Sequence, residues 1–153
     1  MIIETSAWGS IEVTEEQIYQ FPKGIPGFEQ ETSFALLSME GGPFAYLQSL
    51  KEKELAFVLA DPFVFYPEYE FELPDSESTE LALKEGHVYV RNIVTLKDPI
   101  EQSSINLLAP IVMNTEKKIG KQVVLHHSSY RTSHRLWNDS ATESIDTDGK
   151  GGA

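Results

Sequence analysis

The stretch His87-Val88-Tyr89-Val90-Arg91-Asn92-Ile93-Val94-Thr95-Leu96 carries the alternation that decides the fold class. Successive side chains of a β-strand point to opposite faces, so every second residue shares a surface. Val88, Val90, Val94 and Leu96 therefore lie on one face, and Asn92 interrupts it. This period of two predicts a strand over residues 87–96.

Shorter runs of β-forming residues occur on both sides of this strand, separated by turn signals such as Glu40-Gly41-Gly42-Pro43. They predict further strands over residues 33–39, 44–50, 55–59, 68–73, 105–112 and 122–125. One short helix is predicted from Ser76 to Glu85, and residues 130–137 fit either a short helix or an extended arm. We therefore expect an all-β fold, a compact antiparallel β-barrel or sandwich with one or two short helices.

Chain length and composition bound the class of protein. At 153 residues and 41% hydrophobic content the chain fits one domain, expected over residues 1–137. Residues 138–153 are rich in Ser, Thr, Asp and Gly, and we expect a disordered polar tail. No apolar run approaches a membrane span of roughly 18 residues, and no signal peptide is visible, so we expect a cytoplasmic protein with no membrane partner.

Charge is distributed unevenly along the chain. The net charge is −12. Residues 1–80 hold 16 acids and 3 lysines, whereas residues 81–137 hold 8 basic and 4 acidic side chains. An acidic surface repels nucleic-acid phosphate and favours basic partners, so we expect no direct nucleic-acid binding, even through residues 81–137.

No motif indicates catalysis, a cofactor or a metal. Gly120-Lys121 lacks the earlier glycine of a phosphate-binding loop, since Thr115 occupies that position. His126 and His127 would point to opposite faces of a strand. The chain has no cysteine, which excludes thiolate chemistry and disulfides. We therefore assign no catalytic, cofactor-binding or metal-binding residue.

The acidic run Glu68-Tyr69-Glu70-Phe71-Glu72-Leu73 alternates carboxylates with apolar residues, which predicts a strand with one wet face. Asp75 and Glu77 extend the acidic surface. A solvated face is the simplest interpretation of these acids. The alternative is a small hydrolase or carbohydrate-handling β-domain that uses acids of residues 68–73 as a catalytic pair.

The segment Phe21-Pro22-Lys23-Gly24-Ile25-Pro26-Gly27-Phe28-Glu29 combines two prolines and two glycines with three large apolar side chains. Proline fixes φ and glycine permits positive φ, so this composition predicts a loop of defined shape. It is either a structural corner or a recognition surface. The aromatic residues Phe63, Phe65, Tyr66 and Tyr69 are likewise either core residues or a partner-binding patch.

Four blocks in order resemble the FliW family of flagellar assembly factors across about residues 2–137. The blocks are residues 21–29, Pro43-Phe44-Ala45-Tyr46-Leu47-Gln48-Ser49, Ala60-Asp61-Pro62-Phe63, and Asn106-Leu107-Leu108-Ala109-Pro110-Ile111-Val112-Met113-Asn114 with Gly120-Lys121-Gln122. The family has a compact, mostly antiparallel β-barrel or sandwich. The resemblance thus implies the fold class that the strand pattern predicts.

The resemblance also implies a function without catalysis. FliW-like proteins bind cytoplasmic flagellin and, alternatively, the RNA-binding translational repressor CsrA, and in the CsrA complex flagellin mRNA is no longer repressed. We expect a monomer when free. The candidate contacts for flagellin are Gly24, Ile25, Pro26, Gly27 and Phe28. The candidate contacts for CsrA are Glu68, Glu70, Glu72, Asp75 and Glu77, and Phe63 and Tyr66 are further candidates for partner binding.

Overall fold

The computed structural model describes residues 1–38 and 41–137, and within them the fold is all-β with two short helices, as predicted. The strands are β1 Ile2–Thr5, β2 Gly9–Glu12, β3 Ile18–Gln20, β4 Ser33–Ser38, β5 Phe44–Ser49, β6 Ala56–Ala60, β7 Val88–Thr95, β8 Ser104–Ile105, β9 Ile111–Asn114, β10 Ile119–Gln122 and β11 His134–Arg135. The α-helices are α1 Pro62–Phe65 and α2 Asp75–Glu80, and short 3-10 helices span Glu15–Gln17 and Ile100–Gln102. The tail expected over residues 138–153 lies outside the described residues.

Seven strands close into a barrel in the order β7-β6-β5-β4-β3-β10-β9, with β9 pairing back onto β7. The pairings are antiparallel except the short parallel contact between β3 and β10. Strand β7 closes the ring because Val88–Arg91 pair with β9, whereas Asn92–Val94 pair with β6. A closed barrel leaves no long unpaired edge among these strands.

The barrel interior is filled by large apolar side chains. Its fully buried members include Phe21, Phe34, Leu47, Leu59 and Ile111. Gly120 permits this packing, since a Cβ there would lie 2.7 Å from the Phe21 ring. Loop residues 21–29 therefore contribute directly to the barrel core.

Two further elements cover the outside of the barrel. The β1–β2 hairpin places Ile3 and Val13 against Ala35 of β4. The C-terminal arm, residues 130–137, places Leu136 in a second cluster with Ala60 and Val94. Of the two forms predicted for residues 130–137 the arm is the one observed, with only His134–Arg135 paired as β11.

The strand predicted over residues 105–112 is wrong, because β8 ends at Ile105 and β9 begins at Ile111. Residues 106–110 instead form an irregular segment between the two strands, here called the bulge, which starts where the Asn106 N–H still donates to the Ile93 carbonyl of β7 at 2.9 Å. The Asn106 side chain causes the bulge, since its Oδ1 accepts hydrogen bonds from the N–H groups of Leu108 and Ala109 at 3.0 and 2.9 Å. A side chain that bonds its own backbone in this way competes with the strand ladder.

Every carbonyl of this bulge finds a donor. The buried side chains of Asn92 and Tyr69 donate to the carbonyls of Asn106 and Leu107 at 2.7 Å each. The remaining donors are Leu125 N–H for Leu108, Gln122 Nε2 for Ala109 and Val123 N–H for Pro110. Residues 123–125 therefore bond to the bulge, and the strand predicted over 122–125 lies earlier, at Ile119–Gln122.

Two other local predictions fail. Residues 68–73 form no strand. The helix predicted from Ser76 to Glu85 runs from Asp75 to Glu80, with Pro74 rather than Ser76 at the N-cap. It ends early because Ala82 has a φ of 51° and Asn114 Nδ2 donates to the carbonyls of Leu81 and Ala82, both at 2.9 Å. Strands β1, β2 and β3 were not predicted.

Candidate functional site

The loop over residues 21–29 owes its shape to its glycines and to local hydrogen bonds. Gly24 has a φ of +67°, and a Cβ at this position would lie 2.5 Å from the Cα of Glu29. Only glycine tolerates both the positive φ and this close approach. The N–H groups of Gly24 and Phe28 donate to the carbonyls of Phe21 and Ile25 at 2.7 and 2.6 Å. The loop is therefore a fixed corner.

Burial divides the loop candidates into two groups. Gly24 is buried and Ile25 is only 1% exposed, in the same cluster as Phe21. Pro26, Gly27 and Phe28 are exposed. Gly24 and Ile25 therefore support the corner from inside, and a partner that binds this conformation cannot contact the Ile25 side chain. The corner interpretation therefore holds for Gly24 and Ile25, and Pro26, Gly27 and Phe28 are the residues of the loop that stay candidates for recognition.

Phe28 is the large apolar side chain that the loop presents to solvent. It is 44% exposed, and its ring packs edge-to-face on Phe57 with 5.4 Å between ring centroids. It borders a cleft of about 560 Å³ whose other walls include Leu55 and four carboxylates. These are Glu29, Glu31, Glu52 and Glu54.

Two of these carboxylates are held in place. Glu31 Oε1 accepts a hydrogen bond from Ser49 Oγ at 2.9 Å, and Glu29 Oε2 accepts one from the Gly27 N–H at 3.0 Å. The backbone hydrogen bonds lower the pKa of the Glu29 carboxyl. Sequence reasoning missed this acidic cleft, because its members come from two turns that only the fold brings together.

The acidic segment, defined as residues 67–74, follows α1, begins with a turn at residues 67–68 and continues without a strand partner. Glu68, Glu70 and Glu72 are exposed, whereas Tyr69 is buried. The alternation therefore correctly predicted that the glutamates are exposed to solvent and Tyr69 is buried, although the prediction of a strand over residues 68–73 was wrong. None of the three glutamates forms an ion pair with the described part of the chain.

The acidic segment has no hydrogen bonds to a neighbouring strand, and contacts made by tyrosine side chains attach it to the C-terminal arm instead. The Glu70 N–H donates to Tyr130 Oη at 3.2 Å, and the rings of Tyr69 and Tyr130 meet edge-to-face at 4.8 Å. Tyr66 Oη donates to the carbonyl of Arg135. The segment thus presents its carboxylates from a fixed backbone.

Tyr69 is the buried anchor of this attachment. Burial is the main cause that raises the pKa of its phenol, to about 12. Its hydroxyl donates to the Leu107 carbonyl and accepts from Asn92 Nδ2 at 3.3 Å. It is therefore a protonated donor over the physiological pH range.

Helix α2 carries the other predicted acids, in a different electrostatic setting. Asp75 begins the helix and is exposed. Glu77 and Glu80 bind Lys121 Nζ at 2.6 and 2.9 Å, and Glu80 also pairs with Lys23 at 3.1 Å. Hydrogen bonds to these lysines lower the pKa of the Glu80 carboxyl. Glu77 is therefore already neutralised within the chain, unlike Glu68, Glu70 and Glu72.

The two aromatic candidates near α1 differ in exposure. Phe63 is 44% exposed on α1, which Asp61 caps by accepting from the Phe63 N–H at 3.0 Å. Tyr66 is half-buried against His134, with 5.8 Å between ring centroids. Phe63 is available to a partner, whereas Tyr66 mainly attaches the arm.

No arrangement for metal binding occurs in the described ranges. His126 and His127 border a cleft of about 470 Å³ together with Glu70 and Glu72. Within residues 1–38 and 41–137, however, no three histidine, aspartate or glutamate side chains are placed to hold a metal ion. The same ranges contain no helix long and apolar enough to cross a membrane.

Comparisons with known proteins identify the family. The family model described as "FliW protein" matches residues 2–136. "Flagellar assembly factor FliW" of Bacillus subtilis is 44% identical over 142 residues, which cover 92% of this chain and 99% of that protein. The protein of the same name in Anoxybacillus flavithermus is 41% identical over 138 residues, 90% of this chain and 95% of its own length.

A solved structure agrees with the sequence comparisons. The "Crystal structure of the flagellar assembly factor FliW" superposes with a TM-score of 0.84 at 43% identity, covering 90% of this chain and 97% of that one. A flagellar assembly factor is not an enzymatic role. The match spans the barrel, the loop over residues 21–29 and the acidic segment. The chain therefore belongs to the FliW family of flagellar assembly factors.

Proposed function

We propose that this protein regulates flagellin synthesis by exchanging two partners in the cytoplasm. In one state it binds flagellin, and in the other it binds the repressor CsrA and relieves repression of flagellin mRNA. The exchange requires that the two partners compete, through overlapping sites or through negative coupling between sites. Family membership supports the assembly role, and the distribution of charge supports the choice of surface for each partner.

The observation that carries the proposal is the row of unpaired carboxylates on the acidic segment. Glu68, Glu70 and Glu72 are exposed and unneutralised by the described residues, and their backbone is attached to the C-terminal arm. An RNA-binding repressor needs basic surface for phosphate, and a fixed acidic row is complementary to it. We assign these three glutamates, with Asp75 beside them, to CsrA. Glu77 contributes less, because Lys121 already neutralises it.

The acids act on RNA binding in two ways. They occupy basic side chains that would otherwise contact phosphate, and they repel RNA that approaches the complex. Salt screens charges beyond about 8 Å at physiological ionic strength, so the repulsion requires close contact. The flagellin contact is then assigned to exposed apolar side chains and the backbone beside them, with Pro26, Gly27, Phe28 and Phe63 as the candidates.

The test is a charge-neutralising variant that leaves the fold intact. Glu68→Gln, Glu70→Gln and Glu72→Gln combined should weaken CsrA binding at least tenfold, more at low than at high salt. Glu15→Gln with Glu16→Gln, in the 3-10 helix after β2, is the control for loss of charge elsewhere. Affinity is measured by calorimetry, and release of flagellin mRNA by gel shift. Unchanged CsrA affinity and RNA release in the triple variant would contradict the assignment.

A further inference from the structure

The outer face of the barrel is covered on two sides but not between them. The β1–β2 hairpin covers β4, where Ile3 and Val13 pack on Ala35. The C-terminal arm covers the far side, where Leu136 joins the cluster of Ala60 and Val94. Within residues 1–38 and 41–137, a strip of β5 and β6 between these two elements has no further element packed over it.

This strip forms an apolar groove of about 280 Å³. Its lining residues are Gly42, Phe44, Tyr46, Val58, Leu96 and Trp137. Trp8, in the turn of the β1–β2 hairpin, packs edge-to-face on Tyr46 with 4.8 Å between ring centroids. Both tryptophans of the chain therefore lie at this groove, one on each cover.

The exposure of these side chains is high for their size. Trp8 is 40% exposed, Trp137 is 41% exposed and Leu96 is 51% exposed. Contiguous exposed apolar surface in a folded domain marks an interaction site more often than scattered apolar residues do. Tryptophan is also among the residues most enriched in binding hot spots.

The charge of the groove selects between the two partners of the proposed function. Among the residues that the structure describes, none that lines the groove is charged, although the chain carries a net charge of −12. A basic repressor would find no countercharge here, whereas the acidic segment offers it three unpaired carboxylates. The groove is complementary to an apolar, uncharged surface.

The backbone of the groove restricts the form of its occupant. Tyr46 pairs with Leu37 on one side and with Val58 on the other, and Val58 also pairs with Val94. The floor strands thus have no free edge at which an extended peptide could add as a strand. An occupant must satisfy its own backbone N–H and C=O groups, as a helix does, and contribute only side chains.

We propose that this groove binds the apolar face of an amphipathic helix, and that this helix belongs to the flagellar subunit. The assignment of the helix rests on the proposed function, which supplies flagellin as the partner. Trp8 and Trp137 flank the bound helix, and Leu96 contacts its apolar side chains. The groove is separate from the acidic segment, so flagellin and CsrA occupy different surfaces.

The test compares two exposed apolar positions at opposite ends of β7. Leu96 follows β7 and lines the groove, and it is changed to glutamine in Leu96→Gln. Val88 is the first residue of β7, is 44% exposed and lies outside the groove, so Val88→Gln is the matched control. Leu96→Gln and Trp137→Ala should each weaken flagellin binding at least tenfold in calorimetry. Val88→Gln should leave flagellin affinity unchanged, and all three variants should keep their affinity for CsrA and their thermal midpoint.

A spectroscopic readout follows occupancy of the groove. In Trp8→Phe the remaining tryptophan is Trp137, and its emission should shift to the blue when flagellin is added, since binding removes the ring from water. Normal flagellin affinity in Leu96→Gln and Trp137→Ala would overturn the groove assignment while leaving the proposed function intact. Absence of flagellin binding by the unmodified protein would overturn both. A dimer that Leu96→Gln dissociates, with flagellin affinity unchanged, would assign the groove to a second copy instead.

Discussion

The loop over residues 21–29 and the acidic segment are both irregular and both reach the surface, yet different forces hold them. The turn of the loop is set locally, because Gly24 has a φ of +67° and lies so close to Glu29 that no other residue fits there. The acidic segment is held by contacts with distant residues. Its Tyr69 donates to a carbonyl of the bulge, and its Glu70 N–H donates to Tyr130 of the C-terminal arm. Local composition therefore specifies the first region, and contacts between distant residues specify the second.

The loop should respond most strongly to a change inside it. Ile25→Ala removes a fully buried side chain and leaves a cavity, which should lower the free energy of unfolding by about 2–5 kcal/mol. Phe28→Ala, three residues later on the exposed side, should cost only about 1 kcal/mol, the order of an aromatic pair with Phe57. Urea unfolding of both variants measures the difference.

The relative losses of unfolding free energy in Ile25→Ala and Phe28→Ala test whether the loop has a buried inner side and an exposed outer side. A large loss of stability in Phe28→Ala, with a small one in Ile25→Ala, would contradict the division of the loop into an inner and an outer side. Weaker flagellin binding by Phe28→Ala at full folding would add this ring to the contacts of the partner.

The acidic segment should be sensitive to its buried anchor. Tyr69→Phe removes the hydroxyl that donates to the Leu107 carbonyl and accepts from Asn92. A buried acceptor left without its donor costs about 1–3 kcal/mol, so unfolding should become easier by that amount. Tyr130→Phe loses a bond at the exposed Glu70 backbone and should cost less. Hydrogen exchange of the Glu70 amide should increase in both variants.

If Tyr69→Phe leaves both stability and amide exchange unchanged, the segment is held by packing alone. Its carboxylates would then be presented to CsrA without the contribution of this hydrogen bond. Measuring CsrA affinity in the same variant separates the two roles, because the substitution changes no charge.

The smallest expected effect is a pH dependence of the C-terminal arm. Burial, with a lesser contribution from Arg131, lowers the pKa of His134 below its usual value. Its Nε2 accepts a hydrogen bond from the Arg131 N–H at 2.9 Å, which requires that nitrogen to be unprotonated. The unfolded chain therefore takes up this proton first as the pH falls through about 6.5, the ordinary histidine value.

Stability from His134 is thus present above pH 6.5 and is lost as the pH falls towards the folded pKa. His134→Gln should flatten the slope of unfolding free energy between about pH 7 and pH 5. The lowered pKa of Glu80 acts in a more acidic range, below the carboxyl model value of 4.5, so it does not obscure this test. An identical slope in the variant would exclude His134 as the cause.

Much of the fold could be predicted because alternation reports burial directly. The central strand, predicted over 87–96, is observed as Val88–Thr95. Asparagine is a residue type that favours turns, and Asn106 and Asn114 each accept two backbone hydrogen bonds through Oδ1. In each case the chemistry of the side chain and its neighbours is sufficient to specify the local structure.

The failures share one physical cause, which is that strand pairing needs a partner that the segment itself does not contain. Polar and apolar residues alternate over residues 68–73 as in a strand. No strand pairs with them, however, and the segment is bonded instead to Tyr130 Oη and to the Leu107 carbonyl of the bulge. Residues 105–112 are apolar except for Asn106, and that side chain ends the strand by bonding its own backbone. The groove at Trp8 and Trp137 has no local signal, because its two sides are 129 positions apart in the chain.

Local sequence is sufficient to predict the all-β class, the fixed shape of the loop at residues 21–29 and the solvent-exposed side of the acidic segment. These follow from backbone limits at proline and glycine and from the alternation of polar and apolar residues, which are local properties. Contacts between distant elements bury Ile25 and expose Phe28, bring four carboxylates to one cleft and, within the described residues, form an apolar groove on β5 and β6. Those features depend on which distant elements meet, since burial is a property of the assembled surface.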